Sequence, residues 1–190
     1  MDENKMITID TLKAMKARQM DLFTEGKKTK PVNFKEALFS GQLAGMVREA
    51  VKGETVSDPQ TVFNILSPLM AQHNDIEKFY CIFLDAKNKV IDIEPAFSGT
   101  LSSCAVYPRE IIKACLNKNA ASLIVAHNHP SGDITPSKSD KKVTQNIFAA
   151  CHVMGIAFYE HLICGAGMFL SMRADGIFDE IESSMQEFFK

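Results

Sequence analysis

One short run of the chain limits the choice of fold more than any other. The run is "ASLIVAH", residues 121–127, and only Ser122 and His127 in it are polar. A short and nearly all-apolar run predicts a β-strand that is buried on both faces of its sheet. Other predicted strands alternate with amphipathic helical patterns on either side of it. The sequence therefore predicts an α/β sandwich around a mixed sheet.

The domain organisation follows from where the patterns change. The chain has 190 residues, which suits one domain with an appendage. Residues 1–53 hold two amphipathic helical patterns joined by an exposed basic linker, and they are expected to form an N-terminal helical extension. The alternation of helices and strands starts at residue 54, so the main domain is predicted to span 54–175. Residues 176–190 are predicted to form a C-terminal helix.

Composition and charge bear on the possible partners and the cellular location of the protein. The formal net charge of −2 gives no general attraction to nucleic acid. No apolar run approaches the ~18 residues that a membrane-spanning helix needs. The acidic start "MDENK" lacks the apolar core of a secretory signal. Five scattered cysteines without a Cys-x-x-Cys pair fit free thiols in a reducing compartment, so we predict a cytoplasmic protein.

Two of the five histidines stand one residue apart where the strand 121–127 is expected to end. If the strand continues through both, His127 and His129 point to the same face and present two nitrogens to one metal ion. Pro130 has no N–H for the strand ladder, which favours a pocket at this end of the sheet. Asp140, in the first turn of the next predicted helix, offers a third ligand. This set leaves one position of a tetrahedral zinc ion open for water, which zinc ionises near neutral pH.

A simpler interpretation of the same stretch stays open. Ser137 and Asp140 also match the Ser-x-x-Asp pattern of a helix capping box, with Ser137 as the N-cap residue. Two histidines one residue apart also occur by chance. His161, in a later predicted strand, is either a structural histidine or a support for the metal ligands, and its pattern favours the structural role. The residues alone therefore leave the metal site and the capping box as alternatives.

These residues resemble the signature of a known family. The stretch "HNHPSGDITPSKSD" is similar to the JAMM motif, H-x-H-x7-S-x2-D, of JAB/MPN-type zinc isopeptidases. The segments "AHNHPSGD", "FLDAKNKVI" and "EHLICG" resemble its bacterial RadC-like branch. The resemblance covers the chain from about residue 54 to residue 173. It implies a JAB/MPN-type (cytidine-deaminase-like) α/β sandwich and a zinc-dependent metallopeptidase or isopeptidase that cuts an amide bond in a protein or peptide substrate.

The resemblance also implies roles for four residues of the motif. His127, His129 and Asp140 would hold Zn²⁺. Ser137 would donate a hydrogen bond to the oxyanion that forms at the attacked carbonyl. This role does not exclude helix capping, because one hydroxyl can both donate and accept a hydrogen bond.

The general base of this family is a glutamate, and no local motif identifies it here. The glutamate would take a proton from the attacking water and pass it to the leaving amine. Its position in the family favours Glu77, which comes just before the predicted strand "KFYCIFLD". Glu94 and Asp85 remain as alternatives for this role.

A second hypothesis links the protein to DNA replication or repair. The segment "QMDLF", Gln19 to Phe23, resembles the Q-x-x-L-F peptide by which bacterial proteins dock on the sliding clamp. The protein would then be an accessory factor with secondary or no peptidase activity. Leu22 and Phe23 could equally be core contacts of an amphipathic helix. Residues 1–53 show no helix-hairpin-helix pattern, so direct nucleic-acid binding is not expected. A deaminase is not expected, because H-x-E and P-C-x-x-C are both missing.

Overall fold

A computed structural model of the chain describes residues 42–70, 75–98 and 106–185. Within these ranges the strands are β1 (Lys78–Leu84), β2 (Val90–Ser98), β3 (Ser122–Asn128), β4 (Ala157–Gly165) and β5 (Met168–Ser171). The helices are α1 (Gln42–Val51), α2 (Pro59–Met70), α3 (Pro108–Asn117), α4 (Lys138–Val153) and α5 (Ile177–Met185). All of the described residues belong to one compact unit.

The five strands form one mixed sheet in the order β2-β1-β3-β4-β5. β1 pairs antiparallel with both β2 and β3, and β5 pairs antiparallel with β4. β3 and β4 form the parallel pair, and α4 provides the long crossover that a parallel connection requires. The predicted α/β fold around a mixed sheet is therefore confirmed.

β3 is the central strand of the sheet, and all of its residues are buried. Leu123 and Val125 pack into a core on the side of α3, α4 and α5. Ile124 and Ala126 pack on the opposite face of the sheet, on the side of α1 and α2. Complete burial of a Val, Leu or Ile side chain contributes about 1.5–3 kcal/mol. Packing on both faces of the sheet therefore holds β3 in place, together with the residues at its end. This burial on both faces is what the apolar sequence of β3 predicts.

Part of the predicted organisation falls outside the described residues. These residues begin at position 42, so the first predicted helix and the segment Gln19 to Phe23 lie outside them. α1 falls within the second helical pattern of residues 1–53, and α5 falls within residues 176–190. The division into 1–53, 54–175 and 176–190 stays a prediction. Among the helices that the structure describes, none is both long and apolar enough to cross a membrane.

Candidate metal centre

Four side chains meet at the C-terminal end of β3, beside the start of α4. They are Glu77, His127, His129 and Asp140, and one ligand atom from each lies within 4.8 Å of the others. β3 ends at Asn128, one residue beyond the predicted strand 121–127, and it does not continue through both histidines, so His129 lies just outside the strand. The Nε2 atoms of the two histidines are nevertheless only 2.9 Å apart. This group of residues could hold a metal ion.

Asp140 takes part in both of the arrangements that the sequence left open. Its Oδ1 atom lies 3.4 Å from His127 Nε2, and its Oδ2 atom lies 3.5 Å from His129 Nε2. The Oδ2 atom also accepts the backbone N–H of Ser137 at 2.7 Å, while the backbone N–H of Asp140 donates to Ser137 Oγ at 3.1 Å. These two bonds complete a capping box at the start of α4. The capping box and the cluster therefore share one carboxylate.

The surroundings of Asp140 favour its ionised form. Burial by itself would raise the pKa of Asp140, but the contacts with His127 and His129 outweigh it and hold that pKa far below its ordinary value. The hydrogen bond with Asp140 is also the largest of the effects that raise the pKa of His129. A buried carboxylate that stays ionised is a suitable ligand for a cation.

The loop after β3 fixes both the backbone and the ring of His129. The backbone N–H of His129 donates to the carbonyl of Cys164 at 2.8 Å, at the end of β4. Its Nδ1 atom lies 2.5 Å from the carbonyl oxygen of Asp133. Because a carbonyl only accepts hydrogen bonds, Nδ1 carries a proton, and in the neutral ring Nε2 then presents its lone pair to the cluster.

Two glycines allow this loop to pack tightly against the β4–β5 turn. Gly132 has φ = +82°, a left-handed conformation that an L side chain would strain. A Cβ atom added to Gly165 would lie 2.8 Å from the carbonyl oxygen of Gly132. Such a distance is too short for a real Cβ contact, so position 165 must be glycine if the loop is to keep this place.

Glu77 reaches the cluster from the residues just before β1. Its Oε1 atom lies 3.8 Å from His127 Nε2. The amide of Asn128 holds the backbone on both sides of Glu77: its Oδ1 atom accepts the N–H of Lys78 at 2.8 Å, and its Nδ2 atom donates to the carbonyl of Ile76 at 3.0 Å. Sequence reasoning misses Asn128, although its place between two histidines puts it at the same strand end.

The two alternative candidates for the general base lie in other surroundings. Glu94, on β2, forms an ion pair with Lys118, with Oε1 and Nζ 2.8 Å apart. Asp85, in the turn between β1 and β2, accepts the backbone N–H groups of Lys87 and Lys89. Among the described residues, neither belongs to the cluster of four. Glu77 is the candidate that the structure brings to the histidines.

His161 lies directly behind His127. It is completely buried on β4, and its Nε2 atom is 2.8 Å from His127 Nδ1. Its other ring nitrogen, Nδ1, is 2.6 Å from Thr144 Oγ1. Burial lowers the pKa of His161 well below its ordinary value, so the ring is neutral at neutral pH.

Fold and site together define a class of protein. The chain is an α/β protein whose mixed sheet carries a largely buried histidine–carboxylate cluster, able to hold a metal ion, at the end of its central strand. The family model that matches it is the RadC-like JAB domain, over residues 56–177. The chain belongs to the RadC-like JAB family, and its five-stranded mixed sheet agrees with the JAB/MPN fold.

Three relatives show how much of the chain is shared. The UPF0758 protein STH371 of Symbiobacterium thermophilum is 45% identical over 120 residues, which cover 63% of this chain and 51% of that protein. A UPF0758 protein of Haemophilus ducreyi is 33% identical over 172 residues, with 90% and 77% covered. One of Actinobacillus pleuropneumoniae is 40% identical over 136 residues, with 67% and 62% covered. The chain thus spans about half to three quarters of these relatives' lengths, and their names state no activity.

Proposed function

We propose that the protein is a zinc-dependent metallopeptidase or isopeptidase of the JAMM type, working in the cytoplasm on a protein or peptide substrate. One observation carries the proposal: His127, His129 and Asp140 converge at a strand end with Glu77 beside them. The membership of the chain in the RadC-like JAB family supports it.

The donor atoms of the cluster suit zinc. Imidazole nitrogens and carboxylate oxygens are ligands of catalytic zinc sites, which use three protein ligands. Ligand atoms held tetrahedrally at 2.0–2.2 Å from one ion lie roughly 3.3–3.6 Å apart. Asp140 meets this range through two different oxygens: Oδ1 lies 3.4 Å from His127 Nε2, and Oδ2 lies 3.5 Å from His129 Nε2. The two Nε2 atoms are 2.9 Å apart, which is below this range, so the two rings would have to separate slightly to hold one ion. Zn²⁺ would therefore be held by these three residues, with Glu77 left for proton transfer.

Zinc bound in such a site acts as a Lewis acid and makes water acidic enough to ionise near neutral pH. Glu77 Oε1 lies close enough to the histidines to take the proton of an attacking water and pass it to the leaving amine. Ser137 Oγ accepts a hydrogen bond in the capping box, so its own O–H proton can be donated to the oxyanion at the attacked carbonyl. The chain thus offers a base and an oxyanion donor around one cluster.

The test measures zinc content and amide cleavage in the same preparations. We expect one zinc per chain in the wild type and loss of zinc in His129→Ala. Glu77→Gln should keep zinc and lose cleavage of a fluorogenic isopeptide or peptide library, because it removes only the proton acceptor. His152→Ala, on the exposed side of α4, is the matched control and should keep both. A wild-type protein that takes up no zinc after incubation with the metal would overturn the proposal.

The link to replication or repair is a separate proposal from the sequence. The segment Gln19 to Phe23 lies outside the described residues. Binding of a peptide with this segment to the sliding clamp, measured against the Leu22→Ala and Phe23→Ala double variant, tests it. Equal binding by the two peptides would remove the idea.

A further inference from the structure

A chain of hydrogen bonds runs behind His127, away from the cluster. His127 Nδ1 and His161 Nε2 are 2.8 Å apart, and His161 Nδ1 and Thr144 Oγ1 are 2.6 Å apart. Thr144 Oγ1 in turn lies 2.6 Å from the backbone carbonyl oxygen of Asp140. All three side chains are completely shielded from solvent. These polar groups cannot exchange a lost hydrogen bond for one to bulk water, so each of them needs a partner within the protein.

The donor and the acceptor of each hydrogen bond follow from the last group in the series, the backbone carbonyl of Asp140. The carbonyl of Asp140 can only accept, so the Thr144 hydroxyl donates its single proton to that carbonyl. The sulfur of Met172 also lies 3.5 Å from Thr144 Oγ1, but it is a weak acceptor at a longer distance. Toward His161 the oxygen of Thr144 can then only accept, which places a proton on His161 Nδ1.

The bond between His127 and His161 determines which ring nitrogen of His127 carries the proton. Adding a second proton to a completely buried ring would be costly, so His161 carries only the one on Nδ1. Its Nε2 atom is therefore an acceptor, and His127 must donate to it from Nδ1. A neutral His127 then has no proton on Nε2, and this nitrogen presents its lone pair to Glu77, His129 and the carboxylate of Asp140.

The last hydrogen bond of this series, from Thr144 to the carbonyl of Asp140, does not depend on a bound metal. Thr144 bonds the carbonyl four residues earlier in its own helix, a local bond that α4 itself provides. In the neutral form of His129, Nε2 is also unprotonated, because Nδ1 holds the single proton and donates it to the carbonyl of Asp133. Two lone pairs thus face each other across 2.9 Å. They repel each other unless a cation lies between or beside them.

We propose that His161 and Thr144 are positioning residues that hold His127 in the tautomer whose Nε2 binds the metal. The proposal rests on the proposed function for its metal, but the tautomer is a property of the protein without metal. Without this chain of bonds, His127 would populate both neutral tautomers, and one of them points a proton into the cluster. Outer partners of ligating histidines typically contribute 10–100-fold to metal affinity.

The experiment uses the full chain in two measurements. In the first, ¹⁵N NMR of the histidine rings in metal-free protein, at alkaline pH where the rings are neutral, reports which nitrogen carries the proton. In the second, competition with a chromophoric chelator gives the Kd for zinc. We expect His127 to be protonated on Nδ1 in the wild type. Thr144→Val should mix the tautomers and weaken zinc binding about 10–100-fold.

Three further variants separate positioning from packing. Thr144→Ser keeps the hydroxyl and should restore the tautomer and the wild-type Kd. In His161→Gln an amide oxygen replaces Nε2 as the acceptor for the N–H of His127 Nδ1. This variant should therefore bind zinc more tightly than His161→Leu, which offers no acceptor. Thr61→Val removes a hydroxyl of similar size from α2, where it bonds the carboxylate of Asp58; this control should lose stability and leave the Kd unchanged.

Two results would overturn the inference: a proton on Nε2 of His127 in the metal-free wild type, or equal zinc affinity in Thr144→Val and wild type. A wild type that binds no zinc refutes the proposed function instead. The NMR spectrum of the metal-free protein then still decides the tautomer. If Thr144→Val fails to fold, the wild-type spectrum and the comparison of His161→Gln with His161→Leu carry the test.

Discussion

The substitution Asp140→Asn separates the two tasks of one side chain. In the wild type, Oδ2 of Asp140 accepts the N–H of Ser137 at 2.7 Å, and Oδ1 lies 3.4 Å from His127 Nε2. Asparagine has the same shape, and its one oxygen can keep the bond to Ser137. Its NH₂ group would then face His127, where it can donate to the lone pair of Nε2. The variant therefore keeps the capping box and removes the charge that would bind zinc.

The expected magnitudes follow from these contacts. Zinc at 100 times its Kd stabilises a protein that binds it only when folded by about 2.7 kcal/mol. In a chain of this size, 1 kcal/mol corresponds to about 2–4 °C in Tm, so the wild type should gain about 5–11 °C. Asp140→Asn should gain nothing above the scatter of the measurement. Without zinc it should lose roughly 1 kcal/mol from the charge–dipole interaction at a helix start, and in addition the contacts of the carboxylate with His127 and His129 that hold the pKa of Asp140 low.

The assay is thermal unfolding followed by circular dichroism, with and without zinc. Ser137→Ala is the matched control, because it removes the N-cap oxygen and leaves the carboxylate of Asp140 in place. It should lose about 1 kcal/mol without zinc and keep the zinc-dependent rise in Tm. An Asp140→Asn protein that gains as much from zinc as the wild type would refute the role of this carboxylate as a ligand.

Two further predictions concern the supports of the site. Asn128→Ala removes two backbone hydrogen bonds beside Glu77, so the free energy of unfolding in urea should fall by about 2–4 kcal/mol while zinc binding persists; a loss below about 0.5 kcal/mol contradicts this account. Gly165→Ala brings a Cβ within 2.8 Å of the Gly132 carbonyl oxygen and should destabilise the protein by about 1–3 kcal/mol and weaken zinc binding. Gly45→Ala, in open space on α1, is its control and should be neutral or stabilising by about 0.5–1 kcal/mol; similar effects of the two substitutions would refute the packing argument.

Much of this architecture could be predicted from local patterns. The apolar run of β3 indicates a strand that is buried on both faces, because a strand with one solvent-exposed face would alternate polar and apolar residues. The Ser137–Asp140 pattern indicates a helix start, and the spacing of His127 and His129 indicates a shared direction. The resemblance to the JAMM motif connects these residues to one cluster. The end of β3 was less predictable: the strand stops at Asn128, and the ring of His129 is directed by its loop instead.

The sequence by itself determined the features that depend on neighbours along the chain: the buried strand, the capping box, the close pair of histidines and the mixed α/β class. Only the tertiary structure decided which distant residues join them. The antiparallel register of β1 and β3 sets Phe79 opposite His127, and so brings Glu77 to the cluster. β4, the parallel neighbour of β3, brings His161 behind His127. The physical reason is that strand pairing and register arise from packing of the whole core, which periodicity along one segment does not encode.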